Sequence, residues 1–239
     1  MRLGCVLLFG IVVVGASVQR LAGIGFALVG VPAMALLLGP AEGVRLANCG
    51  ALVISAVGLA GTWGSVRPGA MIPLVVAAAA AVPAGAWVSR TLPEPALLAV
   101  TGALVSAAAL LVMSGLRVRS LRGRGGALAA GAASGFLNAS AGVGGPAVSL
   151  YAVNAGWTVR EFVPNAQFYG VVVNVFSIAA KGLPQLGGPT WALVGVGIAA
   201  GLAIGSIVAR HVPERPARWI VLSLALAGGL TTLAKGLWG

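Results

Sequence analysis

The 239-residue chain has no aspartate, only four glutamates, one histidine and two cysteines. Each shortage excludes something. Glu42, Glu94, Glu161 and Glu214 all lie at the ends of apolar segments, so paired-carboxylate acid–base chemistry has no centre to build on. Carboxylate and histidine metal sites are excluded on the same ground, and no metal or cofactor is expected. His211 lies in a break between apolar segments and cannot activate a nucleophile such as Ser140. Cys5 and Cys49 have neither metal-site spacing nor the pattern of a disulfide framework and read as small core residues.

Charge is scarce as well. Charged residues make up 8% of the chain against 59% hydrophobic, with a mean hydropathy of +1.03, which excludes an ordinary soluble domain. Apolar runs long enough to cross a bilayer recur along the whole length. The net charge of +11 forms no face of the kind that binds nucleic acid. Basic residues sit singly between apolar runs, except for the cluster Arg117, Arg119, Arg122 and Arg124. Such placement is ordinary for the cytoplasmic loops of membrane proteins. Nucleic acid is therefore excluded as a partner, and the bilayer is expected as one.

The acids reveal a repeat. Glu42 and Glu161 are 119 residues apart, and Glu94 and Glu214 are 120 apart. PAGAWVSRTLPE (83–94) aligns with AIGSIVARHVPE (203–214), matching Gly85 with Gly205 and Arg90 with Arg210. Gly23 and Gly25 align with Gly142 and Gly144. Two copies of one apolar unit are how many secondary transporters are built. We divide the chain into a first transmembrane repeat (1–116), a basic cytoplasmic linker (117–126) and a second transmembrane repeat (127–239).

Five apolar segments occur in each copy, near 3–18, 24–39, 43–62, 69–89 and 95–115, then 127–138, 145–156, 160–181, 190–209 and 216–237. The stretch from Arg2 to residue 17 has the outline of a signal peptide. It occupies the place that 127–137 take in copy two, however, and is read as a retained helix. The last three segments of each copy are long enough to span. The first two are short and meet at glycine turns, RLAGIGF (20–26) and NASAGVGGP (138–146), which predicts half-helices meeting inside the membrane. The alternative is ten full spans. Either count gives an odd number of crossings per copy, so the second repeat is inverted. The expected fold is an all-α membrane protein of two inverted repeats, each a pair of short or broken helices at a Gly-rich turn plus three transmembrane helices. With Arg117–Arg124 inside, Arg67, Arg160, Arg210, Arg215 and Arg218 join them, and Arg45, Arg90 and Lys181 fall outside: nine against three.

Polar residues within the apolar segments are the candidates for function, since a bilayer offers them no partner. Under the 119 shift, Gln19 faces Asn138, Asn48 faces Gln167, Ser55 faces Asn174 and Thr62 faces Lys181. Asn48, Ser55 and Thr62 recur every seven residues, as do Gln167, Asn174 and Lys181, so each set lines one helix face. Ser55 and Thr62 read more readily as hydrogen-bonding glue between helices. Asn48, Gln167 and Asn174 lie beside the glycine turns and read as substrate ligands, together with Gln19, Asn138, Ser140 and Asn165. Gly23, Gly25, Gly142, Gly144 and Gly145 would let a substrate approach backbone N–H groups. Pro146 suits the first turn of a helix starting there. Two such helix starts, brought together by inversion, make a natural anion site. Arg20 has two readings: the cation for a bound anion, or a cytoplasmic topology marker.

At these residues the sequence resembles the TauE/SafE family of sulfite-exporter-like permeases. The resemblance rests on GIGFALVGVP (23–32) with GPAEGVRLAN (39–48), and on GFLNASAGVGGPAVSLY (135–151) with the stretch to Asn165. It implies transport of a small sulfur-containing anion, such as sulfite or sulfoacetate, across a bacterial inner membrane, by a multi-pass protein without a cofactor. Copy one departs from the family's run of three glycines, because Phe26 and Ala27 follow Gly25. That leaves room for a different, larger anion or a small organic acid. An anion channel and an intramembrane enzyme remain as alternatives, and a homodimer is one open option for the assembly.

Overall fold

A computed structural model describes residues 2–22, 25–116, 121–211 and 214–238. These form ten α-helices and, among the described residues, no strand. The helices are α1 (Arg2–Ala22), α2 (Phe26–Leu38), α3 (Pro40–Ala60), α4 (Pro68–Thr91), α5 (Glu94–Met113), α6 (Gly123–Ala141), α7 (Gly145–Asn154), α8 (Val159–Lys181), α9 (Gly188–Val208) and α10 (Glu214–Trp238). Seven of them, all but α2, α6 and α7, are long and apolar enough to cross a membrane. Starts are set locally. Proline occupies the first turn of α3, α4, α5, α7 and α9, where its missing N–H costs nothing. On α8, Thr158 and Glu161 form a reciprocal capping box.

The glycine turns join unequal partners. The returning helices are short, as expected: α2 has 13 residues and α7 has 10. At 1.5 Å per residue that is about 20 and 15 Å, well under a hydrocarbon core of about 30 Å. The first helices are longer than expected, since α1 reaches 21 residues and α6 reaches 19. Close packing offsets the weak helix propensity of their glycines. A Cβ on Gly131 or Gly135 of α6 would land on the α4 backbone at Leu74 or Ala78. Only glycine permits that approach.

Packing is reciprocal between the halves. α1 lies along α9, and α6, its counterpart, lies along α4. Matched residues make these contacts: Gly85 of α4 meets Phe136 and Ala139 of α6, and Gly205 of α9 meets Ser17 and Arg20 of α1. The two remaining matched pairs cross the centre. Gly58 meets Gln167 and Gly170 meets Ser55, so α3 and α8 run antiparallel. Gly102 meets Gly229 and Ala99 meets Gly236, so α5 and α10 do the same.

Glu42 and Glu161, matched at the starts of α3 and α8, each clasp a loop of the other half. Glu42 accepts from Arg45 Nη1 at 2.7 Å and from the Gln185 backbone N–H at 2.8 Å. Glu161 pairs with Arg67 at 2.5 Å, and the Arg67 backbone N–H donates to Asn165 Oδ1 at 2.8 Å. At the Glu42 end Arg90 donates to the Ala180 carbonyl, so Arg45, Arg90 and Lys181 gather at one end of the bundle.

Candidate functional site: a cavity between the two short helices

α2 and α7 both begin at one central cavity. Gly25 has φ 140°, a conformation side chains rarely adopt, and a Cβ there would sit 2.5 Å from Val18. Gly142, with φ 72°, ends α6 in the left-handed conformation that turns the chain towards α7. About 730 Å³ of empty space lies at this cavity, open solvent included. Its walls include the first turns of α2 and α7, from Gly25 to Leu28 and from Gly145 to Ser149. Both helix starts therefore present their positive ends to the same space.

Four amides also reach it: Gln19, Asn138, Gln167 and Asn174. Three are held by the protein. Gln19 Oε1 accepts from the Phe26 N–H at 3.1 Å, capping α2. Asn138 Nδ2 donates to Asn174 Oδ1 at 3.1 Å and to Ser177 Oγ at 2.9 Å, and Asn174 donates back to the Gly170 carbonyl at 2.7 Å. Gln167 makes no side-chain hydrogen bond to any described residue, so its amide is available to a ligand. Ser55, Ser149 and Tyr169 add hydroxyls, and no Asp, Glu, Lys or Arg lines the wall among the described residues. The wall is therefore largely apolar, with a few neutral amides and hydroxyls and two helix starts as its polar groups.

The expected ligands divide. Gln19, Gly25, Asn138, Gly142, Gly145, Gln167 and Asn174 line the cavity. Asn48 is buried behind it and donates to the Asn138 carbonyl at 3.4 Å. Ser140 bonds back to Phe136, and the Gly144 carbonyl accepts from Ser134 at 2.8 Å. Asn165 stands apart, bonded to the loop at Arg67 and to the Glu161 carbonyl. Arg20 is exposed and donates to Ser206 Oγ at 3.0 Å, away from the cavity wall. Gly23 lies outside the described residues. Ser55, set aside as glue, lines the wall, and its seven-residue spacing from Asn48 was the signal for it. Ser149 and Tyr169 carried no comparable signal.

An all-helical, multi-pass membrane protein with a cavity where two Gly-rich turns lead into short helices fits the architecture of a membrane transporter. The sulfite exporter TauE/SafE family model matches residues 7–232, nearly the whole chain, and the protein belongs to that family. Searches of curated proteins and of solved structures each gave no match.

Proposed function

We propose that the protein is a secondary transporter, and not an enzyme, that moves a small anion across the bacterial inner membrane. The anion is sulfur-containing, sulfite- or sulfonate-like, or else a small organic acid. It binds in the central cavity, near the membrane midplane, between the two Gly-rich turns. The observation that carries this reading is the convergence of two helix N-terminal turns and the unpartnered Gln167 amide on one space without fixed charge. Donors without a cation hold an anion loosely enough to release it. Export of a monovalent anion then draws about 2.3 kcal/mol per 100 mV from the membrane potential. The test is a thermal-shift screen of the purified protein against sulfite, thiosulfate, sulfoacetate, taurine and simple carboxylates. A ligand of the folded state raises its melting temperature. Arg20→Gln should leave that shift unchanged. A screen in which no anion moves the transition argues against the site.

Inversion of the repeats supports this mechanism, because an inverted pair lets one half rock against the other around a fixed site. The antiparallel course of the matched pairs α3/α8 and α5/α10 favours it, as does the exchange of α1 and α6 onto α9 and α4. With the linker cytoplasmic, Arg45, Arg90 and Lys181 face outward. Single cysteines introduced as Leu92→Cys and His211→Cys, in a chain lacking Cys5 and Cys49, should label from opposite sides of the membrane. Labelling from one side would end the inverted reading.

A further inference from the structure

The polar face of α8 does not stop at the cavity. Gln167 and Asn174 line it, and Lys181 continues the same seven-residue spacing to the end of the helix. Lys181 is only 5% exposed, and its Nζ has no hydrogen-bond partner among the described residues. The groups that face it are Arg45, which is another cation, and the Cys49 thiol. Two acids lie at this end: Glu42 is committed, one carboxylate oxygen to Arg45 and the other to the Gln185 N–H, and Glu94 lies beside Gly39 at the start of α3. A buried amine without an acid stays charged only where a counter-charge comes from elsewhere; otherwise it gives up its proton.

A second orphan lies between Lys181 and the cavity. Asn48 Oδ1 is buried without a partner, in the residue next to Cys49. It also lies beside the turn that lines the cavity, since a Cβ on Gly142 would be 3.5 Å from it. The unsatisfied polar atoms thus lead from the Gly142 turn past Asn48 to Lys181. A hydrated oxyanion supplies what both lack: negative charge for the ammonium and, through its water, a donor for the Asn48 carbonyl.

We propose that Lys181 is the cation of a second anion-binding position, which receives a sulfite- or sulfonate-like oxyanion between the central cavity and the membrane face at the end of α8. It rests on the reading of that cavity as the transport site. The position adds charge selectivity at the end of α8, where the cavity itself has only neutral donors. It also assigns the substrate's counter-charge to Lys181, a residue remote in sequence from the exposed Arg20.

Cys49 is a built-in reporter for this position. In purified full-length protein carrying Cys5→Ser, the rate of Cys49 modification is measured with two thiosulfonates of opposite charge, 2-sulfonatoethyl and 2-(trimethylammonium)ethyl methanethiosulfonate. Relative to a free thiol, Cys49 should prefer the sulfonate reagent by about tenfold or more, because a unit charge acts strongly at short range in a partly dry site. Lys181→Gln should abolish the preference, Lys181→Arg should keep it, and methanesulfonate should slow the sulfonate reagent in the parent only. An unchanged preference in Lys181→Gln overturns the proposal, as does a Cys49 that neither reagent reaches. Gln167→Leu separates the two sites: it should reduce sulfite flux about tenfold or more while leaving the Cys49 preference intact. Normal flux in Gln167→Leu with a Lys181-dependent preference would instead refute the cavity and leave the Lys181 position standing.

Discussion

Gln167→Leu should reduce sulfite flux in proteoliposomes by about tenfold to a hundredfold, with folded protein recovered in normal yield. The magnitude is that of one hydrogen bond to a charged ligand, roughly 1.5–3 kcal/mol. Normal folding follows from the position of the amide, which bonds to no described residue and is only half-buried. Leucine occupies similar volume and leaves no polar atom stranded. Asn138→Leu makes the contrast. Its amide bonds Asn174 and Ser177 in a buried cluster, so the substitution orphans those partners and should lower stability as well as flux. Gln167→Leu with undiminished flux would mean that the cavity wall does not touch the substrate.

The second large effect concerns matched glycines. Gly85→Ala and Gly205→Ala should each destabilise the protein by about 1–3 kcal/mol, the usual cost of forcing atoms into a packed interior. At Gly205 the new methyl would lie 2.7 Å from the Ser17 carbonyl and 2.8 Å from Arg20 Cβ. At Gly85 it would fall on the Phe136 carbonyl. Gly195, ten residues earlier on α9, has nothing within 4 Å of its would-be Cβ. Gly195→Ala should therefore stabilise the helix by up to about 1 kcal/mol. The same substitution on the same helix changes sign with its neighbours. Thermal unfolding of the three variants in detergent measures this, and a Gly205→Ala as stable as Gly195→Ala would contradict the packing described.

Much of this architecture is legible in the sequence because the repeat is written in residues that are costly to place. Acids and helix-end prolines mark segment boundaries, and the 119–120 shift that aligns Glu42 with Glu161 also aligns the contacts of Gly85 and Gly205. Helix lengths were less legible. Glycines in α6 look like breaks when read singly, yet they are what lets α6 lie against α4, and that partner is visible only in three dimensions. Which of the expected residues line the cavity depends on rotation about the helix axis. Asn165 is two residues from Gln167, about 200° around the helix, and so faces the Arg67 loop while Gln167 faces the cavity. Ser140 is displaced from Asn138 in the same way. Arg20 follows Gln19 by about 100° and leaves the cavity for α9. Lys181 was marked by the seven-residue spacing, but only its burial and lack of a partner separate it from an ordinary helix-end lysine.

The reciprocal packing of the halves also sets a clock. In space α1 on α9 mirrors α6 on α4, but in the order of synthesis the two pairings are far apart. Leu74 and Gly131, which join α4 to α6, are separated by 57 residues (131 − 74), whereas Arg20 and Ser206, which join α1 to α9, are separated by 186. At 5–20 residues per second, α4 waits roughly 3–11 s for its partner and α1 roughly 10–40 s. For most of the chain's elongation, the face of α1 with Val12, Ala16 and Ser17 has no α9 to lie against. The nascent first half is therefore an unfinished object until α9 emerges, and a chain halted before α9 leaves the ribosome with its first helix still unmatched.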